Sequence, residues 1–161
     1  MALGFGILYL LFGVYQREGA ENFLKIVAQA RGHQVMRLEA KPTVLNLILW
    51  RGIYESEKTF YIQAIRVGLF SSPKLYEGGK IQKFTPEKVY PDLLENSQQY
   101  LDIQRFTYFS QGWVALHPNI NHSVGDVRYG LLPQDVTPLW GIKINPLTPD
   151  SHVENQNFRI F

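Results

Sequence analysis

The sequence predicts the α+β class: a mostly antiparallel sheet of about six strands, with two main helices packed on one face and the end of a membrane helix before them. Three observations lead there. An uncharged run, ALGFGILYLLFGVY, fills Ala2 to Tyr15. Two later segments repeat apolar residues at helical spacing. Much of the remainder is β-branched and aromatic, cut by short polar turns.

The run Ala2 to Tyr15 is shorter than the roughly 20 apolar residues a spanning helix needs. A signal peptide fits poorly. No Lys or Arg precedes the run, and the A-x-A site Ala28-Gln29-Ala30 lies well downstream in a helical pattern. A buried core helix is the other alternative. The preferred reading makes residues 1–15 the C-terminal part of a transmembrane helix, or an apolar anchor in the lipid membrane, and residues 16–161 a single soluble domain.

From Gln16 onward Ala20, Phe23, Leu24, Val27 and Ala28 form one apolar stripe, with Arg17, Glu18, Glu21 and Lys25 off it. Gly32 supplies the stop. Thr43 to Tyr54 and Thr59 to Val67 read as a strand pair joined by the polar turn Glu55-Ser56-Glu57-Lys58. Ser71 to Gly79 contains Pro73 and the Gly78-Gly79 pair and reads as a loop. Ile81 to Phe84 is a short strand. Thr85-Pro86-Glu87 carries the signature of a helix start, and Pro91 separates it from a longer helix over Asn96 to Phe109, where Tyr100, Ile103 and Phe106 share a face. Gly112 ends that helix. Strands follow at Trp113 to His117, Ser123 to Leu131, Pro138 to Asn145 and Val153 to Ile160.

Composition narrows the functions. The 161 residues fit one domain, and 45% hydrophobic content supports a real core. The formal charge is +2 with no Lys/Arg cluster, which argues against a nucleic-acid partner. The chain has no cysteine, so disulfides, thiolate nucleophiles and cysteine zinc sites are excluded.

Four histidines are present: His33, His117, His122 and His152. His122 and Asp126 have an H-x-x-x-D spacing, but in a strand four residues span roughly 13 Å, too far to share an ion. His117, His122 and Asp126 are the catalytic candidates, and no metal site is assigned within the chain. Asp126, Arg128 and Tyr129 form the densest polar group in a strand. Asp126 and Arg128 project from the same face, either as a clamp for a carboxylate or phosphate or as an ordinary ion pair on a sheet. Arg51 stands beside Trp50, from where it can stack on an aromatic face or reach Asp126. Serine triads and phosphate loops lack their motifs.

One set of motifs spans nearly the whole chain. Ala28-Gln29-Ala30-Arg31-Gly32-His33 is followed by Pro42-Thr43, Asn46, Leu49-Trp50-Arg51 and, far downstream, Gly125-Asp126-Val127-Arg128-Tyr129-Gly130. Together they resemble the C-terminal region of the bacterial membrane-bound metal-dependent hydrolases, the inner-membrane YdjM-like or DUF457 family. The resemblance implies that several membrane helices precede this region and carry the metal-binding His and Asp residues. Any divalent metal then belongs to the full-length protein, and this chain holds no cofactor of its own. The expected role is a soluble C-terminal domain, accessory or regulatory to that metal site, with the protein's own N-terminal membrane domain as partner. The alternative is a non-enzymatic ligand-binding or protein-interaction module of a membrane protein, its small-molecule ligand unknown. Arg17, Lys25 and Arg31 lie within about 20 residues of the apolar run, where positive charge marks the cytoplasmic side of the inner membrane.

Overall fold

The structure is a computed structural model that describes residues 2–44, 46–68 and 71–159. The chain divides into two compact units, Met1–Lys80 with Leu132–Asp135, and Ile81–Leu131 with Val136–Phe161.

The first unit opens with α1, Ala2–Ala30, a continuous helix in which the uncharged run and the amphipathic segment are one rod. Among the described residues no helix is long and apolar enough to cross a membrane. α1 ends in a Schellman turn. Gly32 takes φ +73°, its amide donates to the Gln29 carbonyl, and the His33 amide donates to the Ala28 carbonyl. The strands β1 (Arg37–Thr43), β2 (Asn46–Ser56), β3 (Thr59–Arg66) and β4 (Lys74–Gln82) form an antiparallel sheet in the order β1-β2-β3-β4. The β2–β3 hairpin turns on Glu57 and Lys58 alone, both at positive φ, as a two-residue hairpin loop requires. Ala20, Leu24 and Ala28, four residues apart, are buried on Ala40, Trp50, Tyr54, Ile65 and Val67. Gly52 permits this approach, because a Cβ there would stand 2.8 Å from the Ile65 Cδ1 and 3.3 Å from a Leu24 methyl.

The second unit contains α2 (Pro86–Val89), α3 (Gln98–Phe109), β5 (Val114–Leu116), β6 (Ser123–Asp126), β7 (Trp140–Lys143) and β8 (Glu154–Asn157). Its antiparallel sheet runs β5-β6-β7-β8. The Ser97 hydroxyl caps α3 by accepting from the Tyr100 amide. Tyr100, Ile103 and Phe106 then pack with Phe84, Val114, Val124, Ile142 and Ile144 as the core. Gly125 and Gly141 face each other across β6 and β7, where a Cβ on Gly141 would collide with the Val124 carbonyl.

The expected single sheet of about six strands carrying two helices is therefore corrected to two four-stranded antiparallel sheets, with one long helix and small ones. Two strands account for much of the difference. β1 holds Pro42 and alternating charges, and β4 occupies the stretch expected to be a loop. Both are outer strands, paired on one side only. β4 is almost wholly exposed and has no apolar alternation to betray it. Gly78 belongs there because a Cβ would collide with the Ile62 and Gln134 carbonyls. The later strands are also shorter than expected: β6 stops at Asp126, and β7 and β8 keep only the paired centres of their segments. Ile160 lies outside the described residues.

Burial of the α1 stripe assigns energies. Leu24→Ala should cost about 2–5 kcal/mol through lost transfer energy and an unfilled cavity. Ile26, on the exposed side of the same helix, should change stability by no more than about 0.5 kcal/mol when replaced by Ala. Urea denaturation of both variants measures the contrast.

Candidate functional site

Asp126 closes β6, and the chain turns at once so that Arg128 folds back on it. Asp126 is fully buried and Arg128 only 7% exposed. Asp126 accepts from the Arg128 backbone amide at 2.9 Å, from Nε at 3.0 and 3.1 Å, and from Nη2 at 2.6 Å. Arg128 Nη1 donates to the Gln111 side chain at 3.2 Å, and the guanidinium lies 5.6 Å from the Tyr129 ring centre. Tyr129 remains partly exposed beside Trp140. This knot fastens the exit of β6 to the end of α3, and its hydrogen-bonding capacity is spent on the protein itself.

Trp50 and Arg51 alternate across β2. Trp50 is buried under α1, and its indole N–H donates to the Leu47 carbonyl at 2.9 Å. Arg51, on the opposite face, is also buried. Its Nη1 donates to the carbonyls of Leu132 and Pro133, each at 3.1 Å. The arginine thereby pins the segment Leu132–Asp135 along the first sheet. Between this segment and strands β2 and β3 lies a cleft of about 530 Å³, lined by Ile48, Leu49, Ala64, Tyr76, Leu132 and Pro133, with Asn46, Arg66 and Gln134 also at its surface.

The catalytic candidates meet different neighbours. His117 is buried against Phe158, its Nδ1 accepts from the Asn119 amide, and burial pushes its imidazole below the usual pKa. His122 sits at φ +57° with Nδ1 3.1 Å from the Tyr90 hydroxyl. Asp126 is engaged by Arg128. Among the described residues no three of His, Asp and Glu form a group that could hold a metal ion.

Two polar groups were not found from sequence. At the end of α1, Arg31 donates to the Tyr54 hydroxyl (3.1 Å), the Gln63 side-chain oxygen (2.9 Å) and Glu77 (2.6 Å). His33 Nδ1 lies 2.8 Å from the same Tyr54 hydroxyl and its ring rests 4.3 Å from that of Tyr61. Burial pushes the Tyr54 phenol above its ordinary pKa. The Schellman glycine aims Arg31 and His33 here, which gives the Arg31-Gly32-His33 motif a structural purpose. In the second unit, Asp102 on α3 accepts from His152 Nδ1 (2.8 Å), the Val153 amide (3.2 Å), Gln98 (2.9 Å) and Arg105 (3.0 Å). It borders an open groove walled by Phe106, Phe109 and Trp140. Burial pushes the Asp102 carboxyl up, but the hydrogen bonds from His152, Val153 and Gln98 outweigh it and hold the group below the ordinary carboxylate value.

Comparison with protein-family models, with curated proteins and with solved structures finds no match.

Removing one member of the β6 knot strands the other in the interior. Arg128→Ala should cost about 3–5 kcal/mol, read as a lower urea midpoint. Asp102 sets an acid limit. Its folded pKa is lower than its unfolded one, so its contribution to stability is present above about pH 4 and is lost as the pH falls through the folded value. Asp102→Asn should therefore be less stable at neutral pH, with the gap to the parent closing below about pH 4. Stability measured from pH 3 to 7 tests the sign.

Proposed function

We propose that this chain is a membrane-tethered domain, accessory or regulatory to a metal-dependent hydrolase centre carried by membrane helices of the YdjM-like kind. The observation that carries the tether is the exposure of α1. Ile7, Leu8, Tyr9, Leu10 and Leu11 are each more than half exposed. At 100° per residue, five consecutive positions go all the way round the helix. A partner groove covers one stripe of a helix, whereas a helix apolar on every side needs an apolar medium around it. Tyr9 and Tyr15 suit the interfacial level of a bilayer, and charge begins only at Arg17. The cytoplasmic side of the inner membrane is favoured by Arg17, Lys25 and Arg31 just beyond the run.

The accessory role is supported by the resemblance of the motifs from Ala28 to Gly130 to that family's and by the engagement of Asp126 with Arg128 rather than with a histidine. The same arrangement favours reading the Gly125–Gly130 segment as scaffold.

Vesicle flotation tests the tether. Two buried leucines contribute about 3 kcal/mol to partitioning. Replacing both Leu8 and Leu11 with Glu should therefore lower vesicle binding about a hundredfold or more, with the thermal midpoint unchanged. Equal flotation of parent and variant would remove the proposal. Metal analysis tests the accessory role: stoichiometric zinc or manganese on this chain, lost in His122→Ala, would place a centre here instead.

A further inference from the structure

The cleft between β2, β3 and the Leu132–Asp135 segment has the makings of a ligand site. Ile48, Leu49, Ala64, Leu132 and Pro133 make its walls apolar, and among the described residues no carboxylate lines it. Arg66 at its surface is exposed, and its side chain has no hydrogen-bond or ion-pair partner among the described residues. It differs in this from Arg31, Arg51 and Arg128, each committed to protein acceptors. The cleft is pre-formed. Arg51 fixes one wall through the Leu132 and Pro133 carbonyls, and the Gln134 carbonyl rests against Gly78, where no side chain fits. At about 530 Å³ it lies within the roughly 300–1,000 Å³ of small-molecule sites.

Its place in the first unit indicates the ligand. α1 runs along β2 with Gly13 near Leu47, Gln16 and Gly19 at Val67, Leu24 at Gly52, and Arg31 at Tyr54. The exposed apolar half of α1 therefore projects past the end of the sheet where β2 begins and β3 stops. Asn46, Ile48 and Arg66, which line the cleft, occupy that same end. With the apolar half of α1 in lipid, this end lies at head-group level.

We propose that the cleft binds an anionic membrane lipid, with its phosphate on Arg66 and the start of an acyl chain along Ile48, Leu49 and Leu132. Charge-assisted bonds from a guanidinium to phosphate give the acid its grip, and the apolar walls take the chain. The lipid source rests on the tether proposed above, whereas the chemistry of the cleft does not.

The test separates the two. The full chain, and the Leu8→Glu/Leu11→Glu variant, are titrated by calorimetry with monomeric dodecyl phosphate below its micelle threshold. Dodecyltrimethylammonium and inorganic phosphate serve as controls. Dodecyl phosphate should bind both proteins equally and at least about tenfold more tightly than either control. Arg66→Gln should lose about tenfold in affinity at an unchanged thermal midpoint, and Ile48→Asp should lose binding as well. Flotation should favour phosphatidylglycerol vesicles over phosphatidylcholine, and Arg66→Gln should narrow the preference. Equal affinity for the cationic amphiphile, tight binding of phosphate alone, or indifference to Arg66→Gln in a folded protein would each overturn the proposal. Flotation without dodecyl phosphate binding would overturn the cleft and leave the tether standing. Dodecyl phosphate binding without flotation would overturn the membrane source.

Discussion

A buried guanidinium with two backbone carbonyls as acceptors governs the first unit. Arg51 stands on the face of β2 away from α1, and its Nη1 holds Leu132 and Pro133, more than 80 positions away in sequence. Burying a guanidinium without acceptors is costly, and the Leu132 and Pro133 carbonyls supply acceptors for its Nη1. The contact fixes where the chain must return after leaving the second unit, and it makes one wall of the apolar cleft. Its neighbour Trp50 does the complementary task on the other face, filling the layer beneath α1.

The arginines divide by what they touch. Arg128 is spent on Asp126 and Gln111, Arg31 on Tyr54, Gln63 and Glu77, and Arg51 on the carbonyls. These hold distant parts of the chain in register, as the planar five-donor group is suited to do. Arg66 has the same chemistry without the obligation. That difference, rather than the density of polar residues, separates the arginines that hold the fold from the one that stands at the cleft with its guanidinium unengaged.

Legibility from sequence followed burial. The helical stripe of α1, the shared face of Tyr100, Ile103 and Phe106, and the β2–β3 hairpin were all readable, because each buries residues at the period of its own element. β1 and β4 were not. An outer strand paired on one side needs only its backbone to join the sheet, and the charges of β1 and the glycines of β4 resemble those of loops. The division into two sheets also escaped, since a strand's choice of partner leaves no mark on its own pattern. Asp126 and Arg128 were legible as a pair, though not on one strand face, since β6 stops at Asp126 and a turn brings Arg128 back onto it. The backbone amide that completes their knot was not, nor was the convergence of Arg31, Tyr54, Gln63 and Glu77, which depends on contacts 23 to 46 positions apart. Arg66 looked like any strand charge; only its surroundings distinguish it.

The return of Leu132–Asp135 has a consequence for dissection of the protein. A single cut in the sequence cannot separate the two units, because four residues of one lie within the span of the other. A fragment ending at Lys80 keeps Arg51 but loses the Leu132 and Pro133 carbonyls that its Nη1 holds. A fragment beginning at Ile81 carries Leu132 and Pro133 with no guanidinium to receive them. Each piece would thus bear an exposed half of the same latch. Separation would instead take a circular rearrangement or a short spliced peptide supplying the missing wall.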